Sequence, residues 1–106
     1  MWVGNNFDAM NNIQDLMTRL RALKPDLIRR YKMREIGVFG SYVRGEQTTD
    51  RDIDLLVEFE EDADLFDLVG LSLYLEDLLH CKVDIVPKRA LRPELRESVL
   101  QEVKSL

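Results

Sequence analysis

Apolar and polar positions divide the chain into helical and extended stretches that alternate. In the first quarter of the chain, apolar side chains recur every three or four residues, which is the spacing of one helical face. These side chains are Phe7, Met10, Ile13, Leu16, Met17, Leu20 and Leu23. Pro25 interrupts the pattern, and because proline is well tolerated in a first helical turn, we expect a second helix from Pro25 to Lys32. Residues 1–33 are therefore predicted to form an N-terminal helical segment.

Three short apolar runs beyond this segment predict β-strands, because each is too short for a helix and is bounded by turn residues. The predicted strands are Arg34–Phe39, Ile53–Phe59 and Lys82–Val86. Helices are predicted from Ser41, which we expect to cap its own helix, to about Gly45, from Leu65 to Leu79 after the N-cap Asp64, and from Pro93 to Lys104. The order ααβαβαβα predicts one α/β (α+β) domain over residues 1–106, with a small sheet covered mainly on one face.

The predicted helix Leu65–Leu79 is apolar on more than one face. A helix that only crosses a sheet needs one apolar stripe, whereas a second stripe requires a second buried surface. Two interpretations remain open at this point. The helix either lies across the sheet alone, or it also packs against another subunit, as a homo- or hetero-oligomer.

Composition narrows the class of protein. The 106 residues carry a net charge of −5, which argues against a chain that binds nucleic acid through non-specific contacts. The single cysteine, Cys81, cannot form an internal disulfide, and the reducing cytosol suits it. No apolar run approaches the roughly 20 residues of a membrane span, and the N-terminus lacks the pattern of a signal peptide. We therefore expect a cytoplasmic protein without membrane or direct nucleic-acid contacts.

Three aspartates occupy positions that favour metal binding. Asp52 and Asp54 are two residues apart at the start of one predicted strand, and Asp84 lies within another. Alternate residues of a strand share a face, so neighbouring strands would gather the three carboxylates on one patch. Such carboxylates repel one another unless a hard cation such as Mg²⁺ binds them. Taken alone, an Asp-x-Asp pair is usually a strand end with solvated acids, and Asp84 alone could act as a cap or pair with Lys82.

A glycine–serine turn precedes the aspartates and predicts a phosphate site. Gly40 lets the backbone bend and lets a phosphate approach, and the following helix start offers N–H groups. The Ser41 hydroxyl adds a donor, and Arg44 lies one helical turn further on, where it could reach the same phosphate or pair with a carboxylate. A polyphosphate cradle beside a metal site is the apparatus of nucleotidyl transfer, in which two metal ions activate the attacking oxygen and stabilise the leaving pyrophosphate.

These residues resemble the nucleotidyltransferase superfamily related to DNA polymerase beta. The shared pattern is a Gly-Ser pair, ten residues, then Asp-x-Asp; here these are Gly40, Ser41, Asp52 and Asp54. The Arg-Gly at 44–45, the IDLLV run at 53–57 and the KVDIV segment at 82–86 resemble the minimal nucleotidyltransferase (MNT) domains in particular. The resemblance implies a nucleotidyltransferase fold with a mixed sheet, residues 34–106 as the catalytic core, ATP as substrate and Mg²⁺, as two ions.

By position in that pattern, the resemblance implies a role for each candidate residue. Asp52 and Asp54 would hold the metal ions, with Asp84 completing the metal site and helping to deprotonate the acceptor. Gly40, Ser41 and Arg44 would hold the triphosphate. One position departs from the family's pattern, because Arg51 stands before Asp52 where a small serine is common.

The resemblance also implies a biological role. MNT proteins often act as antitoxins of HEPN ribonuclease toxins, and some transfer AMP to a toxin tyrosine. The leading hypothesis is thus a Mg²⁺-dependent adenylyltransferase antitoxin with a HEPN toxin as its partner. Two alternatives stay open: a catalytically weak antitoxin that neutralises its toxin by binding alone, and an adenylyltransferase acting on a small molecule.

Overall fold

The computed structural model of the protein describes residues 12–46 and 52–106. The helices and strands are, in chain order, α1 (Ile13–Tyr31), β1 (Met33–Phe39), α2 (Ser41–Arg44), β2 (Ile53–Phe59), α3 (Leu65–Leu79), β3 (Val83–Pro87), α4 (Pro93–Glu102) and β4 (Lys104–Ser105). A single 3₁₀ turn, Lys88–Ala90, joins β3 to the segment before α4. Among these residues, no helix combines the length and the apolar character that crossing a membrane requires.

Helix α1 is continuous through Pro25, so the prediction of two separate helices was wrong. It begins at Asn12, whose side chain accepts a hydrogen bond from the Asp15 N–H at 2.9 Å; the part of the predicted first helix before Asn12 lies outside the described residues. A proline inside a helix costs about 3 kcal/mol. Leu20 and Leu27, on either side of Pro25, are fully buried, and each contributes about 1.5–3 kcal/mol by burial. Packing of both halves on one core therefore outweighs the local break.

The sheet has four strands in the order β3-β2-β1-β4, which confirms the small mixed sheet. β2 runs antiparallel to β1 and parallel to β3. The fourth strand was not predicted: α4 ends at Glu102, and Lys104 and Ser105 pair antiparallel with Val38 and Gly37 of β1. A two-residue strand leaves no periodic signal, because its only determinant is this distant pairing.

The two faces of the sheet are covered unequally. α1 and α3 pack on one face and bury the larger core, whose fully buried aliphatic members are Leu16, Leu20, Leu27, Met33, Ile36, Val38, Ile53, Leu55, Val57, Leu71 and Leu75. α4 packs on the other face over a smaller cluster, Leu56, Leu91 and Val99. The prediction of helices mainly on one face thus describes the larger core, and α4 is the exception.

Polar and aromatic groups join α1 to α3 at one end of the larger core. The Tyr74 hydroxyl donates to Asp26 at 2.9 Å, and the Arg30 guanidinium lies 5.0 Å from the centre of the Tyr74 ring. Gly70 lies against the ring of Tyr31, where a Cβ would come within 2.9 Å of a ring carbon. These contacts fix how α3, which begins at its predicted cap Asp64 with a full capping box, crosses α1.

The second apolar face of α3 is exposed in the isolated chain. Leu65, Phe66 and Leu73 are 69%, 86% and 61% exposed. The apolar pattern of this helix therefore exceeds what the sheet covers, as one of the two open interpretations requires.

Replacing Pro25 with alanine should stabilise the protein. The change restores an N–H to the helix interior and removes the clash with the Arg21 carbonyl, which together are worth up to about 3 kcal/mol. Loss of the proline's constraint on the unfolded chain offsets about 1 kcal/mol of this gain. Urea denaturation should therefore show a free energy of unfolding higher by about 1–2 kcal/mol.

Pro93→Ala is the matched control, because Pro93 occupies the first turn of α4, where proline is favourable. It should give no gain. A loss of stability in Pro25→Ala would contradict the continuous helix and restore the two-helix interpretation.

Candidate active site

The candidate acids meet where β2 and β3 pair. Asp54 and Asp84 lie directly opposite each other in the parallel register, and Phe39 lies opposite Asp54 on the other side. Alternate strand residues share a face, so Asp54 lies on the face of Leu56, which α4 covers. The expectation that the two acid-bearing strands are neighbours therefore holds, and the acids face a helix across a gap.

That gap is a cleft of about 430 Å³ between the sheet, α2 and α4. Its lining residues are Phe39, Gly40, Arg44, Asp54, Asp84, Val86, Ser98, Val99 and Glu102. The structure thus brings Gly40, Arg44, Asp54 and Asp84 to one cavity. Asp52 is exposed immediately before β2, two residues from Asp54, and is not among these lining residues.

Gly40 is the point where β1 turns towards the site. Its backbone has φ 81° and ψ −149°, a region that is essentially restricted to glycine. A Cβ here would collide with the carboxylate of Asp54. Ser41 is the first residue of α2 rather than its cap, since Gly40 holds the N-cap position without a side-chain hydrogen bond. The turn therefore sets the backbone of Gly40 against the acid.

The pKa of Asp54 is raised above its ordinary value by its surroundings. Burial raises its pKa, and the negative charges of Asp84 and Asp52 raise it further. Arg44 and a hydrogen bond from the Ser41 N–H oppose these effects. The raised pKa shows that Asp84 and Asp52 both act electrostatically on Asp54.

These carboxylates do not form a closed metal cluster by themselves. Within residues 12–46 and 52–106, no three acidic, imidazole or thiol side chains stand close enough together to hold an ion already. Mutual repulsion without a counter-ion favours such separation. Carboxylate oxygens are nevertheless the ligands that Mg²⁺ prefers, and a cation would offset the repulsion that Asp84 and Asp52 exert on Asp54. The donor chemistry therefore fits a hard divalent cation.

Glu102 is a site residue that the sequence did not reveal. Its carboxylate accepts a hydrogen bond from the Gly40 N–H at 2.7 Å and another from Arg44 Nη1 at 2.8 Å. Both contacts lower its pKa, that of Gly40 most. Arg44 also bonds Glu46 at 2.8 Å, and the two glutamates raise the pKa of its guanidinium. In the sequence, Glu102 is only one of several glutamates near the C-terminus, so nothing local marked it.

Arg51, the residue that departs from the family's pattern, lies outside the described residues.

Substitution of Gly40 by alanine should cost more stability than substitution of Gly45. Both glycines have positive φ, but Gly45 is in the left-handed helical region with open space around its Cα. Gly45→Ala should cost about 1 kcal/mol, whereas Gly40→Ala should cost about 2–3 kcal/mol, because it also displaces Asp54. Equal losses of unfolding free energy in urea would show that the contact between Gly40 and Asp54 is not tight.

Removing the charge of Asp54 should stabilise the fold. Asp54→Asn eliminates the repulsion from Asp52 and Asp84, and partial solvent screening limits the gain to at most about 1 kcal/mol. Asp77→Asn, at an exposed position of α3, is the control.

The sign of the pH dependence follows from the raised pKa of Asp54. Between its ordinary value of 3.8 and the raised folded value, the folded chain binds more protons than the unfolded chain, so the wild type loses stability as pH rises through this window. The advantage of Asp54→Asn should be complete above the window and absent below it. An advantage that persists in acid would contradict the electrostatic explanation.

Comparisons with known proteins identify the family of the chain. The family model of the nucleotidyltransferase domain matches residues 20–106. The protein adenylyltransferase MntA of Thermococcus cleftensis is 46% identical over 95 residues, which cover 90% of this chain and 96% of that protein.

Solved structures are similar as well. A structure described as a minimal nucleotidyltransferase superposes with a TM-score of 0.77 at 45% identity, over 90% of this chain and 96% of that one. A toxin–antitoxin structure with AMP-PNP gives a TM-score of 0.66 at 29% identity, over 79% and 69%. The complex of a tri-AMPylated Shewanella oneidensis HEPN toxin with its MNT antitoxin gives 0.63 at 28% identity, over 88% and 71%. The family match spans most of the chain and includes every predicted site residue, so the chain belongs to the nucleotidyltransferase domain family.

Proposed function

We propose that this protein is a Mg²⁺-dependent adenylyltransferase antitoxin that transfers AMP from ATP to a tyrosine of a partner HEPN toxin. One observation carries the proposal. The Asp54–Asp84 pair and the Gly40–Arg44 turn line the same cleft, so that metal ligands and phosphate donors face one cavity. Its volume of about 430 Å³ lies within the range of small-molecule sites.

Each residue has a role in this proposal. Asp52, Asp54 and Asp84 would hold Mg²⁺, which polarises the phosphate oxygens and neutralises the charge that develops on pyrophosphate. Gly40, Ser41 and Arg44 orient the triphosphate so that its α-phosphorus faces the acids. Their contribution is positioning, which alone removes a large part of the barrier to a transfer between two bound reactants.

The transfer itself balances without a further reactant. The tyrosine oxygen forms a bond to the α-phosphorus, the bond between the α-phosphorus and the bridging oxygen breaks, and pyrophosphate leaves with the electron pair. Asp84 accepts the phenolic proton, because it is the acid at the strand position that is most exposed to an incoming acceptor. Asp54, which is partly buried beside Gly40, does not take up the proton in this step; its proposed role is to hold the metal ion at the phosphate.

The acceptor class rests on the position of the cleft and on the relatives. Within the described residues, the helices and strands form the nucleotidyltransferase fold itself, so the acceptor has to reach the cleft from outside this fold. A partner protein that brings its own tyrosine meets this requirement. A structurally similar MNT antitoxin occurs in complex with an AMPylated HEPN toxin, which supports the same pairing here.

A second candidate function is neutralisation by binding alone, as a catalytically weak antitoxin. The exposed apolar row of α3, Leu65, Phe66 and Leu73, favours a partner contact that needs no chemistry. No comparable observation favours adenylyl transfer to a small molecule. Transfer of AMP to a small acceptor in the absence of the toxin would support that alternative.

Loss of Asp54 should remove catalysis while the complex with the toxin remains. Incubation with labelled ATP, Mg²⁺ and the toxin should place AMP on a tyrosine, located by mass spectrometry. Asp54→Asn should reduce the rate at least about 100-fold, because each ~1.4 kcal/mol of lost transition-state stabilisation is tenfold in rate. Asp77→Asn should transfer at the wild-type rate, and both variants should co-elute with the toxin.

Neutralisation in cells separates the two candidate functions. If the double variant Asp52→Ala with Asp54→Ala still protects against the toxin, binding alone is sufficient. If protection is lost while the complex persists, catalysis is the mechanism. Wild-type AMP transfer by Asp54→Asn would reject the assignment of the acids.

A further inference from the structure

Glu102 occupies the place that the proposed function gives to a phosphate. Its carboxylate bridges the Gly40 N–H and the Arg44 guanidinium, at 2.7 and 2.8 Å. These are two of the donors assigned to the triphosphate. A carboxylate and a phosphate oxygen place the same demand on such donors, because each is an anionic acceptor of charge-assisted hydrogen bonds. The cradle therefore already binds an anion, and this anion belongs to the chain itself.

From this occupancy we propose that Glu102 is an internal competitor of the nucleotide, and that the triphosphate binds by displacing its carboxylate from Gly40 and Arg44. The inference rests on the proposed function, because it assigns a regulatory element to the same site. The inference predicts that the contact of Glu102 with Gly40 and Arg44 weakens nucleotide binding.

The surroundings allow the carboxylate to leave while the helix stays. Glu102 is the last residue of α4, and its side chain keeps 22% of its surface exposed. α4 is held independently, by Val99 in the smaller core and by the pairing of β4 with β1. Rotation of one side chain therefore opens the cradle, and no helix movement is required.

Charge favours the displacement only when a cation accompanies the nucleotide. Among the residues that the structure describes, the cleft is lined by the carboxylates of Asp54, Asp84 and Glu102 against the single guanidinium of Arg44. Departure of Glu102 removes one of these negative charges and releases Arg44 from one of its two glutamates. A bare triphosphate would still face two acids, whereas a Mg²⁺ complex brings the charge that they need.

The alternative role of Glu102 is to hold Arg44 and the Gly40 turn in place for the nucleotide. The two roles differ in the sign of one measurement. A competitor weakens nucleotide binding, so that its removal tightens it. A positioning residue strengthens binding, so that its removal weakens it.

Isothermal titration with a non-hydrolysable ATP analogue and Mg²⁺ decides between them without any turnover. Glu102→Gln is close in shape and loses the charge. We expect its Kd to be about tenfold lower than that of the wild type, which is about 1.4 kcal/mol of binding free energy. Glu97→Gln makes the same change at an exposed position of the same helix, and its Kd should equal that of the wild type. Thermal melting of each variant verifies the fold.

A shorter acidic side chain at position 102 tests whether the bridging contact to Gly40 and Arg44, rather than the negative charge alone, limits nucleotide binding. Glu102→Asp keeps the negative charge but lacks one methylene, so it cannot bridge both donors, and its Kd should fall as well. A Kd of Glu102→Gln equal to or above that of the wild type would overturn the inference and leave the proposed function standing. A Kd of Glu102→Asp equal to that of the wild type would also overturn it. Absence of nucleotide binding by every variant would overturn the proposed function itself, and the inference with it.

Discussion

The parallel pairing of β2 with β3 is the constraint on which the site depends. It places Asp54 directly opposite Asp84, on the face of the sheet that α4 partly covers. Burial and like charge raise the pKa of Asp54, while Arg44 and the Ser41 N–H act in the opposite direction. The fold thus holds a charge arrangement around Asp54 that is unfavourable by itself and that a bound cation would relieve; perturbed acids of this kind cluster at functional sites.

The unequal covering of the sheet separates stability from chemistry. α1 and α3 bury the larger core on one face, whereas the site face has only the small cluster of Leu56, Leu91 and Val99 beneath α4. Regions with few buried apolar contacts open at lower free energy than the core. α4 can therefore line a cleft while most of the buried core that stabilises the fold lies elsewhere. The pairing of the two-residue strand β4 with β1 holds the chain that follows α4.

Local signals in the sequence predicted the elements that local interactions determine. The strand Ile53–Phe59 and the helix Leu65–Leu79 have the predicted bounds, since alternation and the Asp64 capping box mark them. Pro25 misled the prediction because packing of the flanking residues, which is not local, outweighs the proline. The strand β4 and the role of Glu102 were not predicted for the same reason: each depends on a contact with residues about 60 to 70 positions earlier in the chain.

The same distant contact changes how the phosphate cradle is understood. From the sequence, the N–H groups of Gly40 and Ser41 and the side chain of Arg44 form an open set of donors. In the folded chain, the Gly40 N–H and the Arg44 guanidinium donate hydrogen bonds to Glu102, and the Ser41 N–H donates one to Asp54. The buried N–H of Gly40 would be costly to leave unsatisfied, and in the folded chain Glu102 satisfies it internally. If Glu102 competes with the nucleotide as proposed, binding is an exchange of one anion for another, and its net free energy is smaller than the contacts alone suggest. An enzyme of this kind does not need the tightest grip on its nucleotide, because only interactions that strengthen towards the transition state accelerate the transfer.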